Sequence, residues 1–169
     1  MSTAAAMVTT QYLSSRLNEE IFALDISKVR EVLDFTAVTR IPRTPDFMRG
    51  VINLRGSVVP VVDLRLKFGM SKTEQTANTC VIIAEVMLDN ELVIVGALAD
   101  SVQEVMDLDS SHIEPAPKIG TRLNTAFIKG MGKQNDRFII ILDIDKIFPV
   151  DELNAVKTAQ ESVAENGSR

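Results

Sequence analysis

Short apolar runs, each bounded by Asn, Gly, Asp or Ser, recur along most of the chain at residues 21–26, 51–54, 58–62, 81–86, 92–98 and 138–142. Their length and their content of Val and Ile predict β-strands. No helical period longer than two turns precedes residue 150. A single helical turn is predicted where Thr44 precedes Pro45 and Gly50 closes the segment, the order of an N-cap, a first-turn proline and a C-terminal glycine. After Pro149 the pattern changes. Asp151 is placed to cap a helix over 151–165, with Leu153, Val156, Ala159 and Val163 at helical spacing, ahead of a disordered tail at 166–169.

The strand runs are arranged twice. At an offset of 73, Val29-Arg30-Glu31-Val32-Leu33-Asp34-Phe35 lies over Val102-Gln103-Glu104-Val105-Met106-Asp107-Leu108, with four identities. At an offset of 80, Phe47-Met48-Arg49-Gly50 lies over Phe127-Ile128-Lys129-Gly130, and Val61-Val62-Asp63-Leu64 over Ile141-Leu142-Asp143-Ile144. The seven extra residues of the second copy fall in the polar stretch 109–125, where a loop lengthens at little entropic cost. The units are 8–70 and 78–149. Strand-rich units with few aromatics are expected to curl into small barrels, which removes exposed sheet edges. A unit of about 60–70 residues sits near the lower limit of independent stability, so the copies are expected to share core.

Composition narrows the chemistry. The chain has 169 residues and a net charge of -5, which disfavours bulk nucleic-acid binding. The charge is uneven, +2 over residues 1–80 and -7 over 81–169. One histidine, His112, and one cysteine, Cys80, supply neither a multi-His metal site nor a disulfide. No apolar stretch approaches the ~20 residues of a membrane span, and the N-terminus lacks a basic signal region, so a cytoplasmic location is expected.

The repeat itself suggests one enzyme, a pseudo-twofold aspartic hydrolase using Asp63 and Asp143. Such a dyad needs a hydroxyl and a glycine after each Asp. Here Leu64-Arg65 and Ile144-Asp145 follow, so strand-ending caps explain both residues better. His112 beside Ser110 and Ser111 is accompanied by no oxyanion or orienting motif in the sequence, and the glycines at 130 and 132 lack phosphate-loop spacing. No catalytic residue, metal or cofactor is assigned. What remains is a surface: Arg40, Arg43, Arg49, Arg55 and Arg65 fall within 26 residues, with a single aromatic, Phe47, among them. That is too few for a nucleic-acid stacking platform. Arg55-Gly56 separates two strand runs and should form a hairpin turn. Arginine is an unusual turn residue, and its fork suits a carboxylate such as Glu31. A protein-docking edge and an internal salt bridge both explain that pair.

These residues carry a resemblance. Val29-Arg30-Glu31-Val32, Thr39-Arg40-Ile41-Pro42, the run from Pro45 to Gly56 and Val59-Pro60-Val61-Val62-Asp63-Leu64-Arg65 resemble the CheW-type chemotaxis coupling proteins over roughly residues 8–150. The resemblance implies an all-β fold of two intertwined five-stranded SH3-like barrels with a hydrophobic groove between them, followed by the short C-terminal helix. It also implies a non-catalytic adaptor without cofactors, neither bound to nucleic acid nor inserted in the membrane. Its partners would be the cytoplasmic tip of transmembrane chemoreceptors and the regulatory domain of the chemotaxis histidine kinase. The receptor-facing positions carried over are Val29, Glu31, Gly50, Arg55 and Gly56, with Arg49 close by. A kinase regulatory barrel or related adaptor, free-standing or excised, is the alternative.

Overall fold

Eleven strands, two single-turn α-helices and two 3-10 turns (Ile26–Lys28 and Ser110–His112) are found in the computed structural model, which describes residues 9–35, 38–40, 42, 45–88, 90–115, 127–134 and 136–147. The strands are β1 (Thr9–Leu17), β2 (Glu20–Asp25), β3 (Val29–Asp34), β4 (Met48–Leu54), β5 (Ser57–Asp63), β6 (Cys80–Leu88), β7 (Glu91–Ala99), β8 (Ser101–Asp109), β9 (Ile113–Glu114), β10 (Ile128–Gln134) and β11 (Arg137–Leu142). The helices are α1 (Leu64–Lys67) and α2 (Ile144–Ile147). The all-β class agrees with the strand-length runs. The helix expected over 151–165 and the tail at 166–169 lie outside the described residues.

The strands form a five-stranded sheet, in the order β3, β6, β7, β5, β4, and a six-stranded sheet, in the order β8, β1, β2, β11, β10, β9. Neither sheet is one sequence copy. β5 of the first copy pairs in parallel with β7 of the second (Val61 with Gly96), while β11 of the second pairs in parallel with β2 of the first (Ile141 with Ala23). Each copy thus lends a two-stranded hairpin to the other's sheet, which gives the intertwining a concrete form.

Chain reach forces both sheets to curl. The outer strands β8 and β9 of the larger sheet are joined by Ser110–His112 alone, and four residue steps span at most about 14 Å. Edges of a flat six-stranded sheet would stand about 24 Å apart. In the smaller sheet Thr39, five steps after the end of β3, bridges Val51 on the far strand β4, again within about 18 Å. The sixth strand, β9, is the second copy's version of that bridge: Glu114 pairs with Met131, which lies 80 positions beyond Val51.

The expected helical turn at 44–50 is replaced by strand from Met48 onward. Met48 and Val51 are buried and pair with Val62 and Pro60 of β5, so tertiary packing overrides the local signal. Gly50 sits instead at a bulge with φ +146°, matched by a bulge at Gly130 on β10. Thr44 lies outside the described residues.

Burial divides into three cores. Val59, Val61, Val81, Ile83 and Leu98 fill the smaller barrel. Tyr12, Ile21, Met106, Leu108, Ile139 and Ile141 fill the larger one. The largest cluster lies between them and includes Leu17, Phe22, Leu24, Val62, Ile82, Val95, Leu142 and Ile147 from both copies. Core sharing was expected from size, and here the shared core exceeds either private one. Phe68 stacks on Phe22 at 5.6 Å and touches Phe127 at 5.9 Å. Lys67 places its ammonium 4.7 Å from the ring of Phe47 and 5.4 Å from that of Phe127, the same position of the two copies.

The carboxylate of Asp63 is fully buried and wholly engaged. It accepts from Arg49 Nη1 (3.1 Å), Arg65 N (3.0 Å), Thr73 N (3.0 Å) and Thr73 Oγ1 (2.7 Å). Arg49 also donates to the Thr73 carbonyl, so the segment joining the copies is tied to the β4 bulge. No acceptor site is left over for Asp143, whose side chain faces Lys146 at 3.9 Å. The dyad reading is thereby replaced by a structural clamp.

Two measurements check this picture. Asp63→Ala should cost about 3–5 kcal/mol in urea unfolding, because Arg49 is left half-desolvated without its partner. Desolvation pushes the Lys67 ammonium down to about 8. Its NMR-detected titration should therefore centre there, and its contribution to stability should improve as pH rises from about 8 toward 10.5, where only the unfolded chain still holds the proton.

Candidate protein-docking site

Four hairpins carry a non-glycine residue with positive φ in their turns: Asn18 (59°), Arg55 (49°), Asn90 (65°) and Asp136 (63°). Asn and Asp tolerate this backbone, whereas arginine is an unusual occupant. Arg55 and Gly56 (φ +87°) form a two-residue turn closed by the Leu54–Ser57 pair, and Asn53 Oδ1 accepts from Gly56 N at 2.9 Å. Two successive positive φ values match the twist of the strands and fix the direction in which Arg55 leaves the sheet.

Arg55 reaches across to β3. Its two terminal nitrogens meet the two carboxylate oxygens of Glu31, Nη1 on Oε1 at 3.2 Å and Nη2 in close contact with Oε2. The hydrogen bonds from Arg55 hold the Glu31 carboxyl below its usual range, the charges of Arg55 and Arg30 adding to them and desolvation opposing. The same bonds raise the guanidinium. Most of Arg55 remains exposed, its side chain 70% accessible. The pair straddles the mouth of the smaller barrel, a groove of about 970 Å³ with Val59, Ile83 and Ile94 among its lining residues and Leu92 on its rim. Leu92 and its cross-strand partner Met87 are exposed by 58% and 44%, continuing the barrel's apolar side outward.

The six residues carried over from the resemblance separate into two groups. Glu31, Arg55 and Gly56 come together at this mouth. Val29, Arg49 and Gly50 do not. Val29 is half-buried against the shared core. Arg49 turns inward, its side chain 16% exposed, pairing with Asp63 and lying 5.7 Å from the ring of Phe35. Gly50 packs so tightly that a Cβ there would collide with the Thr39 carbonyl. These two shape the bulge rather than the outer surface.

A second feature was readable only through the repeat. Val32 of β3 and Val105 of β8 are equivalent at the offset of 73, and both are exposed, by 38% and 50%. Three residues earlier on the same strands, Val29 and Val102 both pack on the shared core. Apolar side chains therefore continue the shared core toward solvent along two corresponding edge strands. Among the described residues no group of His, Cys, Asp and Glu is arranged to hold a metal ion, and no helix is long and apolar enough to cross a membrane.

The ion pair has a direct signature. In a carbon-detected NMR titration the Glu31 carboxyl should ionise below 4.5, and Arg55→Ala should move its midpoint upward. Because the folded value is depressed, the pair's stabilisation is complete above the unfolded value and fades as pH falls through the folded one. An unchanged midpoint in Arg55→Ala would show that the pair does not hold in solution.

The family model of the CheW-like domain matches residues 11–152. The chain is 36% identical over 159 residues to chemotaxis protein CheW of Klebsiella aerogenes, covering 94% of this chain and 93% of that protein. It is 32% identical over 158 residues to chemotaxis protein CheW of Rhizobium meliloti, covering 92% and 99%. Among solved structures, the scaffolding protein TtCheW of Thermoanaerobacter tengcongensis aligns with a TM-score of 0.76 at 36% identity, over 86% of this chain and 91% of that one. With its intertwined sheets and its groove flanked by a strained arginine, the chain belongs to the CheW-like family, and its role is that of a chemotaxis adaptor rather than an enzyme.

Proposed function

We propose that this protein bridges the cytoplasmic tip of chemoreceptors to the regulatory domain of the chemotaxis histidine kinase, and that its place is in the cytoplasm, at receptor arrays reached through those partners. The observation that carries the reading is the Arg55–Glu31 pair. A bidentate, mostly exposed ion pair is built from a left-handed arginine at the rim of the barrel-mouth groove, a turn position that asparagine or aspartate fills with less strain. Backbone strain at a surface position points to a use in recognition.

In this reading the receptor's helical tip lays an apolar stripe along the valines at 29, 32, 102 and 105, where the shared core comes nearest to solvent. The Glu31–Arg55 pair at the neighbouring edge sets its orientation, through directional hydrogen bonds more than through net attraction. Gly56 permits the turn that aims Arg55, and Gly50 with Arg49 holds the strand behind it. The kinase's homologous barrels then meet unpaired sheet edges on the same molecule. A bridge transmits a signal only if its contacts differ between receptor states, so the coupling resides in the difference between those contacts.

Arg55→Ala is the test. It should lower capture of a receptor cytoplasmic fragment and abolish receptor control of the kinase, while circular dichroism and thermal unfolding stay close to wild type. Full coupling by a well-folded variant would overturn the assignment of this edge.

A further inference from the structure

The shared core also reaches the surface at a second place, which the proposed receptor contacts do not use. A groove of about 860 Å³ opens between the β10–β11 hairpin and the segment after α1. Met70, Met131 and Ile140 line it and pack on the shared core behind it, with Phe68 beneath. Phe138 stands on its wall, 57% exposed, the largest exposed apolar side chain among the described residues. The scaffold does not demand an aromatic there, since the equivalent position of the first copy is Val58.

Charge of both signs borders the same opening. Arg65 is already engaged with Asp100 at 2.8 Å. Arg137 lies at one side, and Glu19 and Glu20 on the β1–β2 turn at another; among the described residues none of these three forms an ion pair. One patch therefore presents an aromatic knob, a cleft lined in part by Met70, Met131 and Ile140, and a cation and carboxylates that have no ion-pair partner among the described residues. A twofold interface requires that combination, because the same patch must supply both halves of every contact. Methionines in the cleft allow it to adapt to an incoming ring.

We propose that a second copy of this chain occupies the groove, Phe138 of each protomer entering the cleft of the other and Arg137 meeting the other's Glu19–Glu20 turn. The patch is smaller than a permanent interface needs, so the pairing is weak and responds to local concentration, as in a crowded assembly. It leaves the Arg55 edge free.

Sedimentation of the full chain from about 10 µM to about 1 mM, a range suited to weak interfaces, tests it. The weight-average mass of the wild type should climb toward that of a dimer. Phe138→Asp should remain monomeric throughout with an unchanged dichroism spectrum. Arg137→Glu and the double variant Glu19→Lys, Glu20→Lys should each fail to self-associate, yet associate when mixed, since the mixture restores both ion pairs across the interface. That mixing result does not depend on how Phe138→Asp folds. A wild type that stays monomeric up to the highest concentration, a Phe138→Asp variant that still dimerises, or a charge-swapped mixture that does not associate would each overturn the proposal.

Discussion

Neither barrel can be completed from its own copy of the sequence. Parallel pairing of β5 with β7 and of β11 with β2 places a borrowed hairpin in each sheet, and the chain cannot leave one barrel without entering the other. The exchange brings buried faces of both sheets against one another and creates the shared core, larger than either private core. Units of this size hold little apolar area alone, so joint burial is the main source of cohesion.

The same constraint explains the asymmetry. Pseudo-twofold pairing fixes strands and bulges in both copies but leaves hairpin tips and joining segments free to differ. Asp63 is clamped by Arg49 and Thr73, while Asp143 faces Lys146 at 3.9 Å. Lys67 lies against the two equivalent phenylalanines where the second copy has the buried Ile147. The first copy's hairpin tip carries Arg55, paired with Glu31, and the second copy's hairpin carries Phe138 on its return strand. An adaptor must show unlike surfaces to unlike partners, and duplication followed by divergence at the tips provides them on one rigid base.

Residues near the proposed docking edge act at two distances. Glu31 and Arg55 stand at the mouth of the smaller barrel, Arg55 largely exposed to solvent. Gly50, Arg49 and Asp63 act behind them, through a close backbone approach and a buried ion pair that fix the strand leading to the turn. A loss of coupling therefore has two physical origins, a missing contact or a misplaced hairpin, and they differ in whether the fold is disturbed as well.

By itself the sequence offered Glu31 only as a candidate partner of Arg55, but it determined the strand class, the duplication and the Arg55–Gly56 turn. Each rests on local pattern: runs of β-branched residues, internal offsets, and a glycine after an arginine between two strands. Tertiary structure decided which copy each strand serves, because a strand's alternation marks its buried side without naming the neighbour beyond it. It turned Arg49 inward, because only the fold brings Asp63 and Thr73 to the same point from 14 and 24 residues away. It also decided that Phe138 and Val105 face solvent while Ile139 and Met106, beside them in the chain, are buried. Exposure of an apolar residue depends on where the neighbouring sheet ends, a distance that no local pattern in the chain records.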